Sequence, residues 1–234
     1  PTSDKVAILV SESTEKTEKA IEAPGEMGPV AVYPLRDDQG RVIATKDGLG
    51  QVANFKYGED GKVSEITSTA GNLKFNPATN TWEGTDKSGA AVSVKELTLD
   101  KDGKLEMQFP DGSHQTRLAD GSTVVTKADG SRRELDTFGN TVKTVSASGE
   151  ASSFKYDSNN QLTETVGPMG TFTKNADGTW SGPRDKVSNV QVDAADGSVL
   201  LSFSDGGTLK RRVDGSRTEF DSDGSSRKYD TKGQ

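Results

Sequence analysis

Apolar and polar residues alternate strictly over short stretches of this chain. Leu105, Met107 and Phe109 fall on one parity and Lys104, Glu106 and Gln108 on the other, and Val199, Leu201 and Phe203 repeat the pattern. A period of two places the apolar set on one face of a β-strand. The stretches are punctuated by Asp-Gly pairs spaced nine residues apart: Asp102-Gly103, Asp111-Gly112, Asp120-Gly121 and Asp129-Gly130, then Asp196-Gly197, Asp205-Gly206, Asp214-Gly215 and Asp223-Gly224. Asp-Gly tolerates the positive φ that tight hairpin turns need. A turn at that interval leaves strands of about six or seven residues. The pattern predicts an all-β fold, a long antiparallel up-and-down meander of tandem hairpins. It leaves open whether Pro110-Asp111-Gly112 makes a two-residue turn or a three-residue type I turn with a Gly bulge.

The meander is duplicated. Phe55-Lys56-Tyr57 returns as Phe154-Lys155-Tyr156 at an offset of 99, Thr81-Trp82 as Thr179-Trp180 at 98, and the Asp-Gly ladder at 94. The drift places extra residues of the first copy near Thr85–Val94, where an insertion is expected to form a loop. These offsets give two repeat units of about 95–99 residues, covering 36–134 and 135–234. Residues 1–35 differ from both. Lys5–Val10 reads as the most apolar strand, Ser13–Ala23 as a linker or marginal helix, and Pro24-Gly25 and Gly28-Pro29 as breaks.

Two segments, Ser131–Glu134 and Lys210–Arg212, carry charge on both strand parities. A sandwich keeps one face dry, so these strands are expected to have water on both sides, making the meander at least partly single-layer. Such a sheet has open edges with unpaired backbone groups. The candidate assembly edges are the first strand, Val6, Ala7, Ile8, Leu9 and Val10, and the last, Arg227, Lys228 and Tyr229. A further turn signature begins at Tyr229-Asp230 and reaches Gln234 in mid-turn. The expectation is head-to-tail pairing of last strand with first strand, a contact that does not close and so builds filaments; the alternative is a monomer with its N-terminal segment folded over an edge.

Composition narrows the chemistry. Apolar residues make up 30% of the chain and mean hydropathy is −0.70, which implies a small core for the length. Cysteine is absent, excluding disulfides and thiolate chemistry. A net charge of −7 disfavours nucleic acid, and no apolar run reaches the ~20 residues of a membrane-spanning helix.

His114 is the sole histidine, and its duplicated position is Thr208 or Leu209, so a Ser-His-Asp unit has nothing to build on. Asp100-Lys101-Asp102-Gly103 and Asp221-Ser222-Asp223-Gly224 resemble the start of a calcium loop without its later ligands, and read as turn carboxylates. Phe55, Tyr57, Trp82, Phe154, Tyr156 and Trp180 occupy matching positions in the two copies. They read as cross-strand anchors, with exposed stacking platforms for sugars as the alternative. No catalytic residue, metal site or cofactor is expected.

A shorter signature runs through both copies: Tyr57–Val63, Tyr156–Leu162 and, more loosely, Leu35–Val42 and Leu135–Val142. Tyr156-Asp157-Ser158-Asn159-Asn160-Gln161-Leu162-Thr163 and Tyr229-Asp230-Thr231-Lys232-Gly233 resemble the YD, or Rhs, repeat, which implies extracellular β-sheet proteins. The ladder from Phe109-Pro110-Asp111-Gly112-Ser113 through Leu118-Ala119-Asp120-Gly121-Ser122 is similar to the G-box of centriole-assembly proteins, which implies a free-standing antiparallel sheet able to assemble end to end. Together these features predict a non-enzymatic structural protein, extracellular or on the cell surface, that self-assembles by edge-strand pairing. The alternative function is a monomeric carbohydrate- or protein-binding β-repeat module of a larger surface protein.

Overall fold

The computed structural model describes residues 34–231 and 234; the expected first strand, Val6–Val10, lies outside them. Every regular element among the described residues is an antiparallel strand. The first sheet runs in chain order through β1 (Leu35–Arg36), β2 (Val42–Lys46), β3 (Val52–Tyr57), β4 (Val63–Ser68), β5 (Gly71–Asn76), β6 (Thr81–Asp86) and β7 (Ala91–Val94). The second holds β8 (Glu96–Leu99), β9 (Leu105–Gln108), β10 (His114–Arg117), β11 (Thr123–Thr126), β12 (Arg132–Leu135), β13 (Thr141–Val145), β14 (Ala151–Tyr156), β15 (Leu162–Gly167), β16 (Gly170–Lys174) and β17 (Trp180–Ser181). The third holds β18 (Val187–Val192), β19 (Val199–Phe203), β20 (Thr208–Arg211), β21 (Arg217–Phe220) and β22 (Ser226–Tyr229). In each sheet spatial order is chain order, the up-and-down meander that the turn spacing predicts.

The turns take the three-residue form. Phe109 N–H donates to the Ser113 carbonyl at 2.9 Å and Gly112 N–H donates to the Phe109 carbonyl at 3.1 Å, with Gly112 at φ +83°. This is a type I turn over Pro110-Asp111 closed by a left-handed Gly bulge. Aspartate sits where its carboxylate accepts from the residue two further on, as Asp111 Oδ1 does from Ser113 N–H at 2.9 Å. The same pairing recurs around Gly103, Gly121, Gly130, Gly206, Gly215 and Gly224. Around Gly197 the loop is one residue longer, and Gly197 N–H donates to the Asp193 carbonyl.

Two cores lie at opposite ends of the second sheet. In one, Val42, Ala53, Phe55, Ile66, Trp82 and Val94 of the first sheet meet Leu105 of β9. In the other, Phe154 and Phe172 of the second sheet meet Val187, Val190, Val199, Leu201 and Leu209 of the third. Between them β10, β11 and β12 contain no fully buried residue. The second sheet runs unbroken across the junction of residues 134 and 135, where β12 pairs with β13. In β22, Ser226, Arg227 and Lys228 are exposed in succession, so both faces of that strand are in water.

Three expectations need correction. The strands between the Asp-Gly turns, β9–β12 and β20–β22, are four residues long and not six or seven, because each turn and its closing pair take up the rest of the interval. The extra residues of the first copy do not form a loop: Thr85 and Asp86 complete β6, and Ala91–Val94 form β7, with Val94 fully buried against Trp82. An added hairpin satisfies its own backbone groups and brings one apolar residue to the core, which an irregular loop of that length would not. Nor do the charged strands have water on both sides throughout. Leu209 is 1% exposed, and on the same face the Arg211 side chain, 13% exposed, reaches Glu150 at 2.8 Å. Arg133 donates to the Ala194 carbonyl at 3.0 Å, while Arg132 pairs with Glu134 at 2.8 Å. Arg117 likewise meets Asp47 at 3.1 Å. Long side chains cover apolar surface with their stems and reach the turns of an adjacent sheet with their heads, so a charged position need not be a wet one.

Close approach between sheets is tightest at Gly121. A Cβ there would lie 2.3 Å from Asp47 Cβ, whereas at Gly224 nothing lies within 4 Å, and φ is similar at +87° and +86°. Gly224→Ala is expected to cost about 1–2 kcal/mol of left-handed strain, and Gly121→Ala distinctly more; urea unfolding of the two variants measures the difference. The turn carboxylates also predict a pH dependence. Hydrogen bonds from the Ser88, Ser113 and Thr179 hydroxyls, then from backbone amides, hold Asp86, Asp111 and Asp177 below the usual carboxylate value. Their contribution is therefore present above the unfolded value of about 3.9 and lost as pH falls below it. Asp111→Asn, which keeps the acceptor without the charge, is expected to flatten the acid limb of the unfolding midpoint.

Candidate functional site

Among the described residues, every sheet ends in strands paired on one side only, and two of these edges carry the candidate groups. The first is the outer edge of β22. Among the described strands β22 pairs only with β21, in the register Arg217↔Tyr229 to Phe220↔Ser226. The Asp221 carboxylate holds Arg227 at 2.9 Å and the Arg217 guanidinium lies 4.1 Å over the Tyr229 ring, while Lys228 is exposed. The candidate edge residues Arg227, Lys228 and Tyr229 thus share one ordered strand.

The second place is a cleft of about 550 Å³ in the second repeat, between β14–β17 and the free edge of β18. Tyr156, Leu162, Lys174 and Trp180 line one side, and residues 189–194 line the other. β17 pairs only with β16, and β18 only with β19. Asp193 N–H donates across to the Ser198 carbonyl. Backbone groups alternate direction along an antiparallel strand, so those of Gln191 and Asn189 also face β19. Those of Val190 and Val192 face outward, toward the cleft.

The duplication shows what makes the cleft. Many contacts occur twice: Lys56–Glu65 at 2.8 Å and Lys155–Glu164 at 2.7 Å, Tyr57 Oη donating to the Val42 carbonyl at 2.8 Å and Tyr156 Oη to the Thr141 carbonyl at 2.9 Å. The surroundings of the tryptophans differ. In the first copy Trp82 is 5% exposed, stacks on its cross-strand neighbour Phe75 with ring centres 5.6 Å apart, and is flanked by Val94 of β7. In the second, the neighbour of Trp180 is Lys174, no strand follows on the other side, and Trp180 is half-buried. Likewise Arg41 lies 4.5 Å over the Tyr57 ring, whereas Asn140 stands at the matching position near Tyr156. Pro183 ends β17 after two residues because it brings no N–H to a ladder.

Phe55 and Phe154 lie buried in their respective cores, and Tyr57 and Tyr156 pack against them. The Asp-Gly turns remain dispersed along the sheet margins. His114 is exposed on β10, and Asp100 Oδ1 accepts from Asp102 and Lys104 N–H within its own turn. Among the described residues no three His, Cys, Asp or Glu side chains converge as a metal site. Sequence reading named Trp180 and Tyr156 but missed their neighbours Lys174 and Asn140. Aligning the two copies residue by residue around the tryptophans would have exposed both substitutions.

Burial, with a smaller push from the Asp136 charge, raises the Tyr156 phenol to about 12. The folded value lies above the unfolded one of about 10, so this contribution is present below about pH 10 and lost as pH rises through the folded value. Ultraviolet titration of wild type against Tyr156→Phe is expected to assign the latest-ionising tyrosine to this position.

No family model matches the chain, and no curated protein matches it. The YD/Rhs resemblance therefore rests on its signature residues alone. Solved structures do match. The TCP10 domain of Danio rerio CPAP, in complex with a peptide of Danio rerio STIL, is 18% identical, covers 78% of this chain and 96% of its own, and has a TM-score of 0.27. The G-box domain of the microcephaly protein CPAP is 19% identical, covering 68% of this chain and 97% of its own at a TM-score of 0.29. The TCP domain of Drosophila melanogaster SAS-4, in complex with a proline-rich motif of Ana2, is 13% identical, covering 88% and 94% at a TM-score of 0.19.

Proposed function

We propose that this chain is a non-enzymatic β-sheet scaffold that works by pairing its sheet edges with strands of other protein chains, in the first place with another copy of itself. In this reading 36–134 and 135–234 are its repeat units, and its setting is extracellular or at the cell surface. One observation carries the proposal. β22 lies 94 residues after β12 in the repeat, and β12 is paired on both sides, with β11 and with β13. The edge of β22 that no described strand occupies is therefore equivalent to an edge that already accepts a strand in the same chain.

The strand it fits is equally defined. β13 corresponds to β2 at an offset of 99. Among the described strands β2 is paired on that side only by the two-residue β1, at Leu35↔Ala44 and Arg36↔Val42. The same two steps, with the same bulge, occur between β12 and β13 at Glu134↔Lys143 and Leu135↔Thr141. β1 is thus a shortened version of the strand that β22 supplies in full. Replacing β1 of one molecule by β22 of another repeats the β12–β13 junction between chains, and the arrangement propagates head to tail.

Transferring the register Arg132↔Val145 places Ser226 of one chain opposite Lys46 of the next. The chain has no cysteine, so mixed Ser226→Cys and Lys46→Cys variants test this directly. A disulfide-linked heterodimer is expected under mild oxidation, well above the homodimers of either variant alone, with concentration-dependent sedimentation of the wild type. A monomer at all concentrations, with no excess heterodimer, would overturn the proposal. Deleting residues 1–10 is expected to leave the cross-link intact; its loss would assign the donor role to Val6–Val10 instead.

A further inference from the structure

We propose that the cleft beside Trp180 binds a short extended peptide of a partner protein, one carrying a small β-branched side chain, by strand addition. The inference does not rest on the pairing of β22. Its basis is the asymmetry between two copies of one unit. In the first copy the indole of Trp82 is covered by β7, whose register against β6 runs Trp82↔Val94, Glu83↔Ser93, Gly84↔Val92 and Thr85↔Ala91. The second copy keeps the tryptophan and the tyrosine but among the described strands has none paired with β17 as β7 is with β6, and β17 ends at Ser181, two residues before Pro183. What results is a cleft of about 550 Å³ with a half-buried indole on one side.

Both free strand edges border that space. The outer edge of β17 is unpaired among the described strands, and the outward backbone groups of Val190 and Val192 line the opposite wall. Unpaired donors and acceptors on an edge recognise another extended backbone, and alternate pockets read its side chains. The side chain that fits is given by the first copy, where Val94 covers the indole. Lys174, which replaces Phe75, has no carboxylate partner among the described residues and keeps the rim polar.

The probe follows from the chain itself: a synthetic peptide of residues 89–96, Gly-Ala-Ala-Val-Ser-Val-Lys-Glu. In a Trp82→Phe variant Trp180 is the only indole left, and saturable peptide binding with a blue-shifted emission is expected, with a Kd below about 1 mM. Anisotropy of the labelled peptide is expected to show at least about tenfold weaker binding (1.4 kcal/mol) to Trp180→Ala and to Val192→Pro. The proline removes an outward amide that the β18–β19 ladder does not use. A peptide with Asp in place of Val94 is expected not to bind. No saturable binding to the wild type, or binding that both variants retain, would overturn the proposal. So would a glycan array signal lost in Trp180→Ala without peptide binding, which would make the cleft a sugar site. The Ser226–Lys46 cross-link is expected to survive Val192→Pro, which separates this outcome from failure of edge assembly.

Discussion

The fold depends above all on one hairpin geometry. A type I turn followed by a left-handed glycine reverses the chain in three residues and sets the register of the strands on either side. The turns recur along the whole meander, including the strands between the two apolar cores. In most of these turns an Asp carboxylate accepts from a turn amide and a Gly provides the positive φ, so the reversal is specified locally. A meander whose contacts are almost all between chain neighbours can then carry strands with little buried surface, such as β11 and β22. The open edges are the consequence, since a sheet that never closes leaves its first and last strands half paired.

Where the sheets do meet, arginine takes over part of the work of apolar side chains. Arg117, Arg133 and Arg211 each leave one strand and reach a turn of an adjacent sheet. A guanidinium offers several donors at the end of a long stem, so a single residue spans the gap and satisfies a carboxylate or a carbonyl. Two of these struts lie beside close approaches of the sheets, Arg117 at Asp47 next to Gly121 and Arg133 next to Gly197. Each core is organised around a phenylalanine with a tyrosine beside it, and the tyrosine hydroxyl is tied to the preceding strand.

Duplication supplies an internal control for function. Positions with the same job in both copies keep the same residues, as the Lys–Glu cross-strand pairs and the tyrosine hydrogen bonds do. Among the positions that differ are those around Trp180, where lysine stands for phenylalanine, asparagine for arginine, and no described strand pairs with β17 on its outer side. A structural role alone would favour the filled arrangement of the first copy, because covering an indole contributes hydrophobic stability. The difference leaves Trp180 half-buried where Trp82 is buried.

The sequence by itself determined the strands, their antiparallel order and the turns, because alternation and Asp-Gly spacing act within a few residues. It also showed the duplication and the aromatic positions, and it offered Arg227–Tyr229 as a candidate edge from their place in the last strand of the ladder. Three features were decided only in three dimensions. The turn type needed the paired backbone bonds around Gly112, since Asp-Gly serves both hairpin classes. The fate of Thr85–Val94 as β6 and β7, where a loop was expected, depended on a buried contact between Val94 and Trp82. The placing of Arg133 and Arg211 against distant turns depended on how the sheets stack, which no local pattern encodes. Local hydrogen-bond geometry is written in neighbouring residues; which charged side chain reaches another sheet, and which tryptophan stays only half-buried, depends on what packs opposite it.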